Sequence, residues 1–209
     1  MRIYNTLARQ VEEIVTHEPG VVRMYTCGPT VYRDAHIGNL RSYLLADWLR
    51  RALEFQGYRV QHIKNITDVG HMRQEQLGLG EDKVVAAALA EGRTSEEIAD
   101  FYSKAFYRDE AKLNIAPAHH FPRASDHIQE VLEITQRLLD RGLAYEVNGT
   151  VYFAVNKFPD YGKLSGNSQS DLLQGVRIAT DPYKQDPRDF TLWKAAEPGR
   201  VLKWDSPWG

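Results

Sequence analysis

What the chain lacks narrows it first. Cysteine occurs once in 209 residues, at Cys27, which rules out an internal disulfide framework and leads us to expect a reducing compartment, the cytoplasm. No apolar run approaches the ~20 residues that a membrane-spanning helix needs. The opening residues, MRIYNTLARQVEEI, lack the basic-then-apolar layout of a secretory signal. No membrane partner is therefore expected. A dominant charge is missing as well: a net charge of -2 and a pI near 6.4 leave no global footprint for nucleic acid. Such a partner would have to be met by a local patch or by residues outside this chain. Neither an internal repeat nor a low-complexity tract is present. What remains is an ordinary globular composition, 43% hydrophobic, enough for one good core with or without an insertion.

The pattern within that composition is alternating. GVVRMYTCG is a short apolar run rich in strand formers and closed by Gly28 and Pro29, so it predicts a buried strand ending at Thr26 and Cys27. After a loop, Leu45, Trp48, Leu49, Ala52 and Leu53 recur at helical spacing and predict one apolar face on a helix stopped by Gly57. YRVQHIKNITD predicts a second strand. Strand, loop, helix and strand make a βαβ unit, which puts the loop at the carboxyl edge of a parallel sheet, where ligands sit.

Residues 71 to 80 read as a polar surface loop, and EDKVVAAALAEG as a helix. A further helix opens on the capping box Thr94-x-x-Glu97, with Ile98, Phe101, Tyr102, Ala105 and Phe106 expected inward. NIAPAHHFPRAS, with two prolines, reads as a boundary. Ser125 is the expected cap of a helix with Ile128, Val131, Leu132, Leu138 and Leu139 on one side, closed by Gly142. LAYEVNGTVYFAV predicts a hairpin turning at Asn148 and Gly149. The last thirty or so residues hold three of the four tryptophans and read as an irregular, packed connection.

Two places carry candidate chemistry. His36, Ile37, Gly38 and Asn39 stand at the predicted opening of a helix, where unsatisfied N–H groups and the helix dipole favour an anion such as phosphate. An imidazole there can donate to a phosphate oxygen; a structural or surface role for His36 is the competing reading. Cys27, read alone, is either a small buried hydrophobe or a metal-binding or reactive thiol. No C-x-x-C, C-x-x-H or H-E-x-x-H accompanies it. Of the remaining histidines, His62 reads as a hydrogen-bonded structural residue and His119 and His120 as surface residues. His71 is a candidate replacement metal ligand.

Taken together, YTCGPTVYRDAHIGNLRSYLLADWLRRALEFQGYRVQHIKNITDVG, IYNTLARQ at the N-terminus, LNI at 113–115, PRASDHI at 122–128, YGKLSG at 161–166, DPRDFTLWK at 186–194 and WDSPWG at 204–209 resemble, in content and order, a known family. It is the N-terminal catalytic portion of the cysteinyl-tRNA synthetases, class I aminoacyl-tRNA synthetases. The resemblance implies an α/β fold: a class I synthetase Rossmann-like parallel sheet, first half only, with an inserted helix and β-hairpin subdomain. It implies residues 1–125 as the first half of a nucleotide-binding catalytic domain, 126–203 as the insertion and 204–209 as the return to the catalytic domain.

The activity implied is ATP-dependent activation of cysteine to cysteinyl-adenylate and transfer to tRNA(Cys), by a monomer. His36, Ile37, Gly38 and Asn39 would then bind the ATP phosphates, with His36 and Asn39 catalytic and Mg²⁺ accompanying ATP. Cys27 would ligate a Zn²⁺ that holds the substrate thiolate, and Gly28, Thr30 and Thr67 would line the amino-acid pocket. Zinc prefers sulfur to a neutral hydroxyl, which suits discrimination of cysteine from serine.

Asn39 stands where the commonest family motif has a second histidine; a carboxamide keeps a donor but never becomes cationic. The family's further zinc ligands, remaining sheet strands, lysine-rich loop and anticodon modules are expected beyond residue 209, so this chain alone is expected to be inactive. Two other readings compete: a ligase joining cysteine to an amino sugar in mycothiol synthesis, and a non-catalytic, synthetase-derived binding module.

Overall fold

The structure, a computed structural model, describes residues 1–69, 87–88, 90–166, 181–196 and 202–209. They divide into two compact units, the first made of Met1 and Ile14–His127, the second of Arg2–Glu13 and Ile128–Gly209.

In the first unit the βαβ pattern is realised. Strand β3 (Val21–Thr26) pairs in parallel with β4 (Arg59–Lys64), Val21 opposite Arg59 and Thr26 opposite Lys64. Helix α1 (Ile37–Phe55) joins them, and a helix returning between parallel strands starts at their carboxyl edge. Gly57, at φ 87°, turns the chain out of α1, as its lack of a Cβ allows.

The buried face of α1 differs from the one expected. Leu45 and Trp48 are 65% and 63% exposed, while Tyr43, Ala46, Asp47 and Leu53 are buried. The reason is polar. Asp47 accepts from Arg51 Nε at 2.7 Å and from the Ala116 N–H at 2.9 Å, and Arg51 and Arg50 donate to the carbonyls of Asn114 and Pro117. These bonds, which hydropathy cannot rank, set the rotation of the helix about its axis.

Helix α2 (Ser95–Lys112) opens on the expected capping box, with the Thr94 hydroxyl accepting from the Glu97 N–H and the Glu97 carboxylate from the Thr94 N–H. Ile98, Ala105 and Phe106 are buried as expected, whereas Phe101 is exposed and carries Arg93 over its ring at 4.7 Å. Ala87, Ala88, Ala90 and Glu91 are helical; the rest of that predicted helix, the loop at 71–80 and His71 lie outside the described residues.

The core gathers Val31, Tyr43, Ile66, Ala88, Ile98, Ala99, Phe106 and Ile115, with Tyr43 and Phe106 edge to face at 5.3 Å. Burying each large apolar side chain contributes about 1.5–3 kcal/mol.

The proline-bearing segment expected as a boundary does more than separate. His119 N–H donates to the His62 carbonyl, Lys64 N–H to His120, Ile66 N–H to Pro122 and Ala124 N–H to Ile66. Residues 119–124 thus run beside β4 and hold the turn that follows it. Ser125 is no side-chain cap: its hydroxyl donates to Asp68 Oδ2 at 2.5 Å, and a short 3₁₀ turn, Ser125–His127, precedes the next helix.

In the second unit, α3 (Ile128–Asp140) ends at Gly142, φ 68°. Strands β5 (Ala144–Val147) and β6 (Thr150–Phe153) form the expected hairpin, with Asn148 and Gly149 at φ 51° and 78°, as a two-residue primed turn demands. The segment read as an irregular connection supplies a third strand, β7 (Phe190–Trp193), antiparallel to β6. Buried Asp189 locks it by accepting from the Tyr145 hydroxyl at 2.7 Å and the Val155 N–H at 2.9 Å. The N-terminus forms a separate hairpin of β1 (Arg2–Asn5) and β2 (Gln10–Glu13), which hydropathy did not reveal. Among the described residues no helix is long and apolar enough to cross a membrane.

Candidate functional site

Two turns leave the carboxyl edge of the strand pair, one after β3 and one after β4, and they are stitched together. The Val31 N–H donates to the Thr67 carbonyl at 3.1 Å and the Thr67 N–H to the Pro29 carbonyl at 2.9 Å, a parallel bridge between Thr30 and Thr67. Asn65 adds a side-chain link: its Oδ1 accepts from the Gly28 N–H and its Nδ2 donates to Thr67 Oγ1, both at 3.0 Å. Gly28 and Thr30 from the first turn and Thr67 from the second are thereby brought into one cluster.

Gly28 is there because nothing larger fits. A Cβ on it would lie 1.7 Å from the Asn65 carbonyl oxygen and 3.1 Å from Lys64 Cγ. Asp68, buried, accepts from both the backbone and hydroxyl of Ser125 and so fastens the second turn from behind.

Cys27 begins the first turn and is exposed, which removes the reading of a buried hydrophobe. Among the described residues its Sγ makes one hydrogen bond, to the Gly28 carbonyl at 3.7 Å. Buried Tyr43 has its hydroxyl pKa pushed up to about 12, by burial first, then by negative charge at Cys27 and Glu110. As a metal ligand the thiol is accessible, but among the described residues no group of three or more His, Cys, Asp or Glu converges to hold an ion. One donor does not by itself make a zinc site.

The second cluster is the start of α1. His36 is its N-cap: Nδ1 accepts from the Gly38 N–H at 3.1 Å and the Asn39 N–H at 3.4 Å, while Asn39 Oδ1 accepts from the His36 N–H at 3.2 Å. Here the structure corrects the expectation of an open helix end, because the backbone donors of Gly38 and Asn39 are already used. The same bonds orient the side chains. With Nδ1 accepting, the neutral ring carries its proton on Nε2, and with Oδ1 accepting, Asn39 turns its NH₂ away from the backbone. Both are exposed or half-buried donors held in place. Gly38 gives the ring room, since a Cβ there would come 2.9 Å from His36 Cε1. Ile37 is exposed. Among the described residues no hydrogen bond joins this cluster to the Gly28–Thr67 cluster; the loop after β3 connects them.

Of the histidines read from sequence, His62 is buried and bonded through Nε2 to the Thr26 hydroxyl at 2.8 Å, as expected of a structural residue. His119 and His120 are exposed, yet His119 Nδ1 also accepts from the His62 N–H at 3.0 Å. Sequence reasoning missed Asn65, Asp68, Lys64 and Tyr43. Only Asn65 carried a signal, standing two residues before Thr67.

A parallel strand pair with a capped helix start and a second turn at the same edge makes the first unit an α/β fold. A solved structure, Mycobacterium tuberculosis methionyl-tRNA synthetase in complex with methionyl-adenylate, matches it at TM-score 0.52 and 23% identity, over 65% of this chain and 25% of that one. Residues 13–209 match the family model described as tRNA synthetases class I (C) catalytic domain, and the chain belongs to that family. It is 48% identical over 207 residues to the cysteine–tRNA ligase of Thermus thermophilus, covering 99% of this chain and 43% of that protein. To the cysteine–tRNA ligase of Chlorobaculum tepidum it is 45% identical over 214 residues, covering 100% and 44%. The chain thus spans less than half the length of these relatives.

Proposed function

We propose that the protein is a cysteine–tRNA ligase, using ATP to activate cysteine and passing the cysteinyl group to tRNA(Cys). The observation that carries this reading is the cluster in which exposed Cys27 adjoins Gly28, Thr30 and Thr67, tied by Asn65. The match to cysteine–tRNA ligases supports the substrate, and the capped start of α1 supports the nucleotide.

One carboxylate oxygen of cysteine attacks the α-phosphorus of ATP; the bond to the bridging oxygen of the β-phosphate breaks and pyrophosphate leaves with the electron pair. A ribose hydroxyl at the tRNA end then attacks the acyl carbon, loses its proton, and AMP departs. The protein's share is positioning and charge stabilisation. His36 Nε2–H and the Asn39 NH₂ are donors for phosphate oxygens. Their orientation by the capping box means that little reorganises as charge develops. Gly28, Thr30 and Thr67 hold the amino acid. Mg²⁺ accompanies the ATP phosphates. Zn²⁺ on Cys27 would favour the substrate thiolate, with its other ligands outside the described residues. We place the protein in the cytoplasm as a monomer; the absence of a cysteine pair within these 209 residues supports the first of these.

The test is ATP–pyrophosphate exchange with the protein as its gene encodes it, followed by acylation of tRNA(Cys). Exchange dependent on cysteine and not on serine, with label reaching the tRNA, is expected. Exchange with transfer to an amino sugar instead, or nucleotide binding without exchange, overturns the reading.

A further inference from the structure

Asn65 has only one way to sit. Its side chain faces a backbone N–H, that of Gly28, and a hydroxyl, that of Thr67, both at 3.0 Å. A backbone N–H can only donate, so the amide oxygen must face Gly28 and the NH₂ must face Thr67. An amide nitrogen accepts nothing. Thr67 Oγ1 is therefore the acceptor in that bond, and its own hydrogen is directed elsewhere. Among the described residues no group accepts it, and Thr67 is half-buried at the carboxyl edge of the strand pair, bridged to Thr30 and one turn away from Cys27.

We infer that Asn65 is a positioning residue that fixes the Thr67 hydroxyl as a hydrogen-bond donor toward the bound amino acid, so that the pocket selects an anionic acceptor, carboxylate or thiolate, at that point. This rests on the proposed role of Thr67 in the amino-acid pocket. The physical argument is polarity. A lone threonine hydroxyl rotates to donate or accept as its neighbour requires, and so discriminates little. One with one of its two lone pairs already engaged by a fixed donor has its hydrogen turned away from that donor and available to reward an acceptor. The Gly28 contact keeps the amide from turning over, because the reversed amide would set NH₂ against N–H.

Asn65→Asp separates this role from simple tethering. The aspartate keeps an oxygen for the Gly28 N–H and has nearly the same shape, but offers Thr67 an acceptor where the NH₂ was. The hydroxyl then donates to the aspartate and turns away from the ligand. In cysteine-dependent exchange by the protein as its gene encodes it, KM for cysteine is expected to rise about 10- to 100-fold, the loss of one hydrogen bond to a charged group. KM for ATP should change less than about twofold, the usual scatter for uncoupled sites.

The added negative charge could itself repel the substrate, so the change is repeated in a Thr67→Val background. There the charge remains but there is no hydroxyl to orient, and Asn65→Asp should add less than about twofold. An equal penalty in both backgrounds, or KM for cysteine and ATP rising together, overturns the inference and makes Asn65 a tether. Competitive inhibition by cysteamine, which lacks the carboxylate, and by 2-aminobutyrate, which lacks the sulfur, identifies the acceptor: the compound whose inhibition the variant leaves intact lacks the group. Failure of the functional reading looks different, because wild-type exchange itself would not depend on cysteine.

Discussion

Lys64 and Glu110 form an ion pair inside the first unit, with side chains 0% and 4% exposed. The ammonium also lies over the Tyr43 ring, 4.8 Å from its centre, and 5.6 Å from that of Phe106. Burial raises the Glu110 pKa, and the bond and charge of Lys64 oppose that rise. The pair sits under the turn bearing Cys27 and Gly28, since Lys64 Cγ lies close to where a Gly28 side chain would start.

Removing one partner leaves a charge without water or counter-ion. Glu110→Ala is expected to lower unfolding stability by about 3–5 kcal/mol, whereas Lys64→Met with Glu110→Leu together recovers most of it. Urea denaturation measures both, and a single variant as stable as the double would contradict the geometry.

Gly28 admits no Cβ without moving the Asn65 carbonyl. Gly28→Ala should cost about 1–3 kcal/mol as overpacking and displace the tie to Thr67. A denaturation midpoint equal to wild type would mean that the two turns are not so closely apposed.

His36 has two separable tasks. His36→Asn keeps a short polar side chain suited to the N-cap and removes the Nε2 donor. Stability should hold within a few tenths of a kcal/mol, while exchange turnover falls about 100-fold or more. His36→Ala should lose the turnover and about 1 kcal/mol of stability as well. Equal turnover in wild type and His36→Asn would remove His36 from phosphate contact.

His62 predicts an acid-sensitive stability. Its pKa is lowered to about 4, by burial first, then by Lys64, Arg50 and His119, against Asp47. The folded value lies below the ordinary 6.5, so the unfolded chain binds the proton more readily. The contribution is full above about 6.5 and is lost as pH falls toward about 4. In His62→Gln the stability profile should be flatter across that window; an unchanged slope would assign the acid response to other groups.

The sequence was most legible where a local rule decides the outcome. Thr94 and Glu97 cap α2 reciprocally, Asn148 and Gly149 turn a hairpin, and the apolar runs around α1 make a parallel pair. It was least legible where a distant partner decides. Leu45 and Trp48 face outward because Asp47 reaches across to Ala116, and β7 exists because Asp189 meets Tyr145 and Val155. The candidate site divides the same way: His36, Gly38 and Asn39 are neighbours in sequence, while the link from Gly28 to Thr67 runs through a side chain whose partners lie in different segments.

The account depends on both clusters serving one ligand. Backbone-amide NMR of the protein with a non-hydrolysable cysteinyl-adenylate analogue tests this most directly. Shifts concentrated at Cys27, Gly28, Thr30 and Thr67 together with His36, Gly38 and Asn39 are predicted. Shifts at one cluster without the other, or confined to the unit that contains β5, β6 and β7, would contradict it.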